Sequence, residues 1–203
     1  MTARDEILGR VRAALADVPG GSPDDEPVPR DYRRTHHDVD LVALFAERVA
    51  DYRAVVRSVS ADGLAAAIAD ELAGQRVVVP VDVPQTWTDG LDARRDEPPL
   101  SVEELDAVDA VLTGCALGIA ETGTIVLDAG TAQGRRALTL VPDRHVCVVR
   151  ADQVVADVPG AVAALDPVRP LTWISGPSAT SDIELQRVEG VHGPRTLIVL
   201  LVT

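Results

Sequence analysis

The sequence predicts an α/β fold: a mostly parallel central sheet flanked by helices, with an N-terminal helical arm. Three observations carry that expectation. The amphipathic segment "DGLAAAIADELAG" runs directly into "RVVVP", an apolar strand of the kind found in sheets covered on both faces. The same order, a capped helix then an apolar strand, returns in "SVEELDAVDAVLTGC", and such alternation is the α/β signature. Two more apolar runs, "RHVCVVR" and "TLIVLLV", supply further buried strands.

The elements follow in order. Thr2 caps a first helix with Asp5 and Glu6 in its opening turn, and Ile7, Leu8, Val11 and Leu15 share one face. "PGGSPDDEPVP" has nothing to bury and reads as a linker. Residues 1–35 are therefore expected to form an arm and linker, and 36–203 a single α/β domain. The arm has two possible seats, its own domain or a neighbouring subunit, so a homo-oligomer stays open. "DLVALFAERVADYRAVVRSVS" carries Leu41, Leu44, Phe45, Val49, Tyr52, Val55 and Val56 at helical spacing. The next helix is capped by Asp62 and stopped by Gly74. Ser101 and Glu104 form a capping box ahead of the strand ending near Cys115. "TIVLDAGTAQGRRALTLVP" reads as two strands joined by a glycine-bounded loop, and "QVVADVPGAVAAL" as a helix despite its Pro-Gly. "LTWIS" is a strand, and "SDIELQRVEG" a short helix before the last strand.

Composition excludes several functions. The 203 residues carry a formal net charge of −13, the opposite of a nucleic-acid footprint. No apolar run reaches a membrane span and the first residues lack a signal-peptide core, so no membrane insertion and a cytoplasmic location are expected. Cys115 and Cys147 have no zinc or iron–sulfur spacing; each is expected to be a small buried hydrophobe, and no metal site is expected. All basic residues except histidine are arginine, with no lysine. Lysine-based phosphate loops and Schiff bases are impossible, and any bound anion must be held by arginine or backbone N–H groups.

Three stretches can carry chemistry. In "GIAETGTIVLDAG" the carboxylate of Glu121 stands in an apolar, β-branched run. A regular strand would put it on one face with Ile119, Gly123, Ile125 and Leu127, desolvated and with its pKa raised. A tight turn at Thr122-Gly123 would leave it solvated or salt-bridged to an arginine. In "WISGPSATSDIELQRVEGVHGP" a strand ends at Ser175-Gly176-Pro177-Ser178, and Ser181 with Glu184 opens a helix. That geometry presents N–H groups to an anion, and the carboxyl ends of the strands are where it is expected to lie. His192 and Gly193 follow in a second glycine-bounded turn, where a histidine suits acid–base work. Third, the adjacent Arg135 and Arg136 can clamp a carboxylate or phosphate.

"DAVLTGCALGIAETGTIVL" followed by "SGPSATSDIELQRVEGVHGPRTLIVLLV" resembles the LUD-domain family, in its order and spacing, over roughly residues 40–203. The resemblance implies the fold shared by glucosamine-phosphate deaminases, ribose-phosphate isomerases and CoA transferases. It also implies a part in oxidising L-lactate to pyruvate beside two partner proteins that carry the iron–sulfur clusters. This chain would bind no cofactor by itself. Many relatives have alanine at the position of Ser181, so no essential hydroxyl is assigned there.

The leading reading is thus a subunit of a lactate-oxidising system with a pocket for a small carboxylate. Glu121 and His192 are its proton-handling candidates. Gly123, Thr124, Arg135, Arg136, Gly176, Ser178, Thr180, Asp182 and Gly193 are its anion-binding candidates. Two alternatives remain. One is a stand-alone acyl or CoA transferase, or a ligase, using Glu121 as nucleophile, since "Glu121-Thr-Gly123" resembles the CoA-transferase arrangement. The other is a non-enzymatic scaffold.

Overall fold

The computed structural model describes residues 2–17, 39–180, 188–190 and 192–203. The chain divides into two units, Met1–Arg33 and Arg34–Thr203. In the first, helix α1 (Ala3–Ala14) starts from a capping box. Thr2 N donates to Asp5 Oδ2 at 2.9 Å, and Asp5 N donates to Thr2 Oγ1 at 3.3 Å.

The second unit is built on six parallel strands: β1 (Val55–Val59), β2 (Arg76–Val79), β3 (Asp92–Arg95), β4 (Ala110–Thr113), β7 (Arg144–Arg150) and β12 (Thr196–Val202). Their order across the sheet is β1-β12-β7-β4-β2-β3, parallel throughout. The expected parallel sheet is present. Residues of opposite parity along each strand face different layers. Val77, Val79, Leu112, Val146, Val148, Ile198 and Leu200 pack with Leu64, Ile68 and Leu72 of helix α3 (Leu64–Leu72). On the other face Cys147, Val149, Leu197, Val199 and Leu201 pack with Phe45 and Val49 of helix α2 (Leu41–Asp51). Beside them, Leu105 of helix α4 (Val102–Asp106) meets Val78 and Val111.

A second sheet sits over that second face. Its strands are β5 (Leu117–Ile119), β6 (Thr124–Leu127), β8 (Val154–Val155) and β9 (Thr172–Ile174), in the order β8-β5-β6-β9. β5 and β6 form an antiparallel hairpin, and β9 runs antiparallel to β6. Ile125 and Leu127 point to the core shared with α2. Leu117, Ile119 and Val126 face outward to Ala161 of helix α5 (Val158–Ala164). Both faces of the hairpin are therefore buried, which is why this stretch reads as continuously apolar. A short antiparallel ribbon, β10 (Ala179–Thr180) with β11 (Val188–Glu189), completes the unit.

Several local expectations are corrected. The helix from Leu41 stops at Tyr52, and Arg53 turns the chain at φ 68°. Val55 and Val56 lie on edge strand β1, paired with Ile198 and Val199, and not on the helix. Helix α3 is preceded by Gly63 with no side-chain cap, so Asp62 is not the capping residue. The second strand expected after Gly134 is a 3-10 turn, Arg136–Thr139. Leu138 fills the core beside Leu105 and Val111 from that turn, which satisfies its burial without a ladder. In "QVVADVPGAVAAL" the first valines form β8, and Asp157 Oδ1 accepts from Gly160 N at 2.8 Å to start α5. The Pro-Gly pair thus lies in the first turn, where a missing N–H is harmless. Of the helix expected over "SDIELQRVEG", residues 181–187 lie outside the described residues, and Val188–Glu189 form strand β11 and not helix.

Candidate functional site

Glu121 occupies a turn. The hairpin reverses through Ala120–Gly123, with Glu121 N donating to Ala156 O at 3.0 Å and Gly123 N to Ala120 O at 3.4 Å. The Glu121 side chain is exposed and lines neither of the clefts described below. Gly123 adopts φ 58°, and a Cβ there would sit 2.5 Å from the carbonyl carbon of Arg48. The glycine is required because the turn presses backbone-first onto the end of α2. Gly176 does the same one residue past that helix: its φ is 79°, and a Cβ would lie 2.6 Å from Tyr52 Cβ. Between these contacts runs a line of hydroxyls. Thr122 Oγ1 lies 2.7 Å from Thr124 Oγ1, which lies 2.8 Å from Ser175 Oγ. The two glycine-punctuated stretches therefore do meet, through structural contacts, with Thr124 buried among them.

Five of the predicted residues gather in one cleft. Arg136, Gly176, Ser178, His192 and Gly193 line a cavity of about 270 Å³, with Thr172 and Trp173 of β9 and His145 and Leu197 of the central sheet. His145 and Leu197 are the second residues of β7 and β12. The cleft therefore opens at the amino ends of those strands, and not at the carboxyl ends where this loop was expected. The reason is topological: the loop follows β9, a strand of the second sheet, so the polarity of the central sheet does not govern its direction. The loop is stitched together by its own backbone. Ser178 N donates to Pro194 O, Gly190 N to Ser178 O, and His192 N to Ser178 Oγ at 3.0 Å. Ser178 Oγ accepts that bond and retains a proton to donate.

The charge of this lining differs from the rest of the protein. It contains one arginine and two histidines, and among the described residues no carboxylate. Among the described residues Arg136 donates to the neutral hydroxyl of Thr172, at 3.2 Å. In a chain of net charge −13 this is a basic recess. Arg135 points elsewhere. Its guanidinium pairs with Asp96 at 2.6 and 3.0 Å and donates to Leu100 O at 2.6 Å. That contact holds the Asp96 carboxyl below the usual carboxylate range, against the opposing effect of burial. Arg135 braces the fold and lines only a minor recess beside this cleft. Thr180 contributes backbone to β10, paired with Val188, and Asp182 lies outside the described residues.

A larger cleft, of about 680 Å³, opens at the carboxyl ends of the parallel strands. Trp87 follows β2, Gly114 and Cys115 follow β4, and Arg150 ends β7. The chain leaves β2 toward the β3 edge and leaves β4 toward β7, so this is the switch point where α/β sheets form crevices. One wall is the loop 128–134, in which Ala129 and Ala132 are held at φ 54° and 58°. Asp128 fixes it by pairing with Arg169 at 2.9 Å and accepting from Gly130 N at 3.0 Å. Ala132 N donates to Asp82 Oδ2, and Asp128 N to Gln133 Oε1. Its arginines are matched by acids: Asp128, Asp152 and Asp166 stand against Arg150 and Arg169. The residues of this cleft were not legible as a site. They are scattered single residues, and only strand order brings them together.

Among the described residues no helix is long and apolar enough to cross a membrane. Comparison with known proteins places these features. The LUD domain family model matches residues 40–202. A Deinococcus radiodurans protein named Lactate utilization protein C is 50% identical over 206 residues, covering 98% of this chain and 95% of that one. A Geobacillus kaustophilus protein of the same name is 32% identical, covering 70% of this chain and 57% of that one. The crystal structure of a DUF162 family protein from D. radiodurans superposes with a TM-score of 0.71 at 48% identity, covering 83% of this chain and all of that one.

Proposed function

The chain belongs to the LUD-domain family, and we propose that it is a lactate-utilisation subunit that binds a small 2-hydroxy or 2-oxo carboxylate in the smaller cleft. The relatives' printed name supports the pathway. The observation that carries the site is its lining: the Arg136 guanidinium beside the His145 and His192 imidazoles, with no opposing acid among the described lining residues. Size agrees, since a three-carbon acid fits a recess of about 270 Å³. The larger cleft is balanced toward acid and suits such a ligand less.

In this reading Arg136 pairs with the carboxylate, an interaction arginine makes well. The Ser178 hydroxyl donates to a second ligand oxygen. His192 takes the proton of the substrate hydroxyl, as a histidine in a fixed loop can near neutral pH. Oxidation to the 2-oxo acid also breaks the C2–H bond, whose hydrogen leaves as a second proton to solvent with two electrons. Iron–sulfur clusters on partner proteins would be the acceptor for those electrons. The reading therefore includes complex formation with such partners in the cytoplasm. Glu121 stands outside both clefts, so geometry gives no support to the covalent-glutamate alternative.

Calorimetric titration with L-lactate and pyruvate tests the proposal. Wild type and Arg150→Ala should bind alike, while Arg136→Ala should bind at least about tenfold more weakly, the effect of losing roughly 1.4 kcal/mol. Equal affinity of the Arg136 variant and wild type would remove the cleft from the account.

A further inference from the structure

The smaller cleft has more room than lactate needs. A cavity of roughly 150 Å³ already admits benzene, and this one measures about 270 Å³. Its lining also has two characters. One is polar: the Arg136 guanidinium, donating to Thr172 Oγ1 at 3.2 Å, and the Ser178 hydroxyl. The other is apolar: Leu140, Ile174 and Leu197. Ile174 and Leu197 belong to the core packed on α2, so they form a fixed floor. Leu140 is 37% exposed.

The turn that carries Arg136 decides where Leu140 goes. In the 3-10 segment Arg136–Thr139, Leu138 is taken into the core beside Leu105 and Val111. Thr139 Oγ1 donates to Arg136 O at 3.2 Å, and Leu140 N donates back to Ala137 O. Those bonds close the turn and leave Leu140 at the cleft. Gly193 lies between it and Ser178: a Cβ there would stand 3.6 Å from Ser178 Cβ and 3.9 Å from Leu140 Cδ2. Polar and apolar parts are thus close enough for one small molecule to touch both. An exposed leucine alone is ordinary. A leucine facing a recess with an apolar floor and a guanidinium is a surface that a ligand can dry.

We propose that Leu140, Ile174 and Leu197 form a side-chain subsite, so that the cleft takes 2-hydroxy and 2-oxo acids with a branched or aromatic side chain more tightly than three-carbon acids. The inference rests on the carboxylate reading of this cleft and extends its substrate class. Arg136 pairs with the carboxylate, and the ligand's side chain lies against Leu140. In lactate that side chain is a methyl group, which leaves the apolar wall wet. Each further methylene buried there strengthens binding about fourfold. Poorly ordered water displaced from such a wall by an apolar group adds to the gain.

Calorimetric titration of the full-length protein with L-lactate, 2-hydroxy-4-methylpentanoate and 3-phenyllactate tests the subsite. The two larger acids should bind wild type at least about tenfold more tightly than lactate. The neutral amide of 2-hydroxy-4-methylpentanoate should bind at least about tenfold more weakly than its acid, which separates this cleft from general apolar adsorption. Leu140→Ala should narrow the ratio between the larger acids and lactate by at least about threefold, a change in selectivity that a loss of stability alone would not produce. An unchanged ratio in that variant would overturn the role of Leu140. Larger acids that bind wild type no better than lactate would overturn the subsite, and the wild-type series decides this even if a variant fails to fold. If Arg136→Ala still weakens lactate in that case, the carboxylate reading stands without the subsite. An Arg136 variant that binds every acid as wild type does would overturn both.

Discussion

Thr124 and Ser175 share a hydrogen bond, hydroxyl to hydroxyl, at 2.8 Å. It ties the turn after β5 to the end of β9, and on either side a glycine presses on the C-terminal end of α2. This contact fixes Ser175, which lines the smaller cleft just before Gly176 and Ser178, so the two glycines support that cleft from behind.

Gly123→Ala and Gly176→Ala should therefore destabilise the protein by roughly 2–4 kcal/mol each, combining a left-handed φ with a clash against backbone or a neighbouring side chain. Gly74→Ala is the control. Its φ is 70°, but nothing lies within 4 Å of the added carbon, so only the conformational cost of about 1 kcal/mol applies. Urea denaturation of the three variants measures the difference.

The neighbouring arginines should separate cleanly. Arg135→Ala strips the partner from Asp96, whose side chain is 7% exposed. A loss of about 2 kcal/mol is expected, less than for a fully sealed pair because Arg135 itself is partly solvated. Arg136→Ala should change stability by no more than about 0.5 kcal/mol, as surface changes usually do, while losing carboxylate affinity. Thermal melts with parallel titrations distinguish a brace from a ligand contact.

The Asp96 pair also sets a pH dependence. Its folded pKa is lowered, chiefly by the hydrogen bond to Arg135. The stabilisation is thus complete above the ordinary carboxylate range and lost as pH falls through the lowered folded value. Asp96→Asn should flatten the acid limb of a stability–pH curve relative to wild type, with the curves differing most at neutral pH. Coincident curves would show that the pair contributes nothing.

Much of the fold was legible because burial on both faces writes continuous apolar runs, as in Val77–Val79 and Leu197–Leu201. What was hidden has definite causes. Val55 and Val56 continued the helical spacing of α2, and only the break at Arg53 separates strand from helix. The second sheet was missed because its hairpin is apolar on both faces, like a parallel core strand. For the site, Gly176, Ser178, His192 and Gly193 could be found together because one stretch of sequence, 176–193, carries them. Arg136 came from a basic doublet whose two members do different work, which the sequence could not apportion. His145 was invisible, a single residue at the start of a strand, and its hydrogen bond with Thr113 depends on the register of β4 against β7.

The claim on which the functional account rests is that the smaller cleft holds the carboxylate. The chain has two tryptophans, and each cleft has one: Trp173 in the smaller and Trp87 in the larger. Fluorescence titration of Trp87→Phe and Trp173→Phe with L-lactate and pyruvate reads the clefts separately. The account predicts a saturable change in Trp173 emission from the first variant and none in Trp87 emission from the second. A response from Trp87 alone would move the ligand to the carboxyl ends of the strands and contradict the assignment.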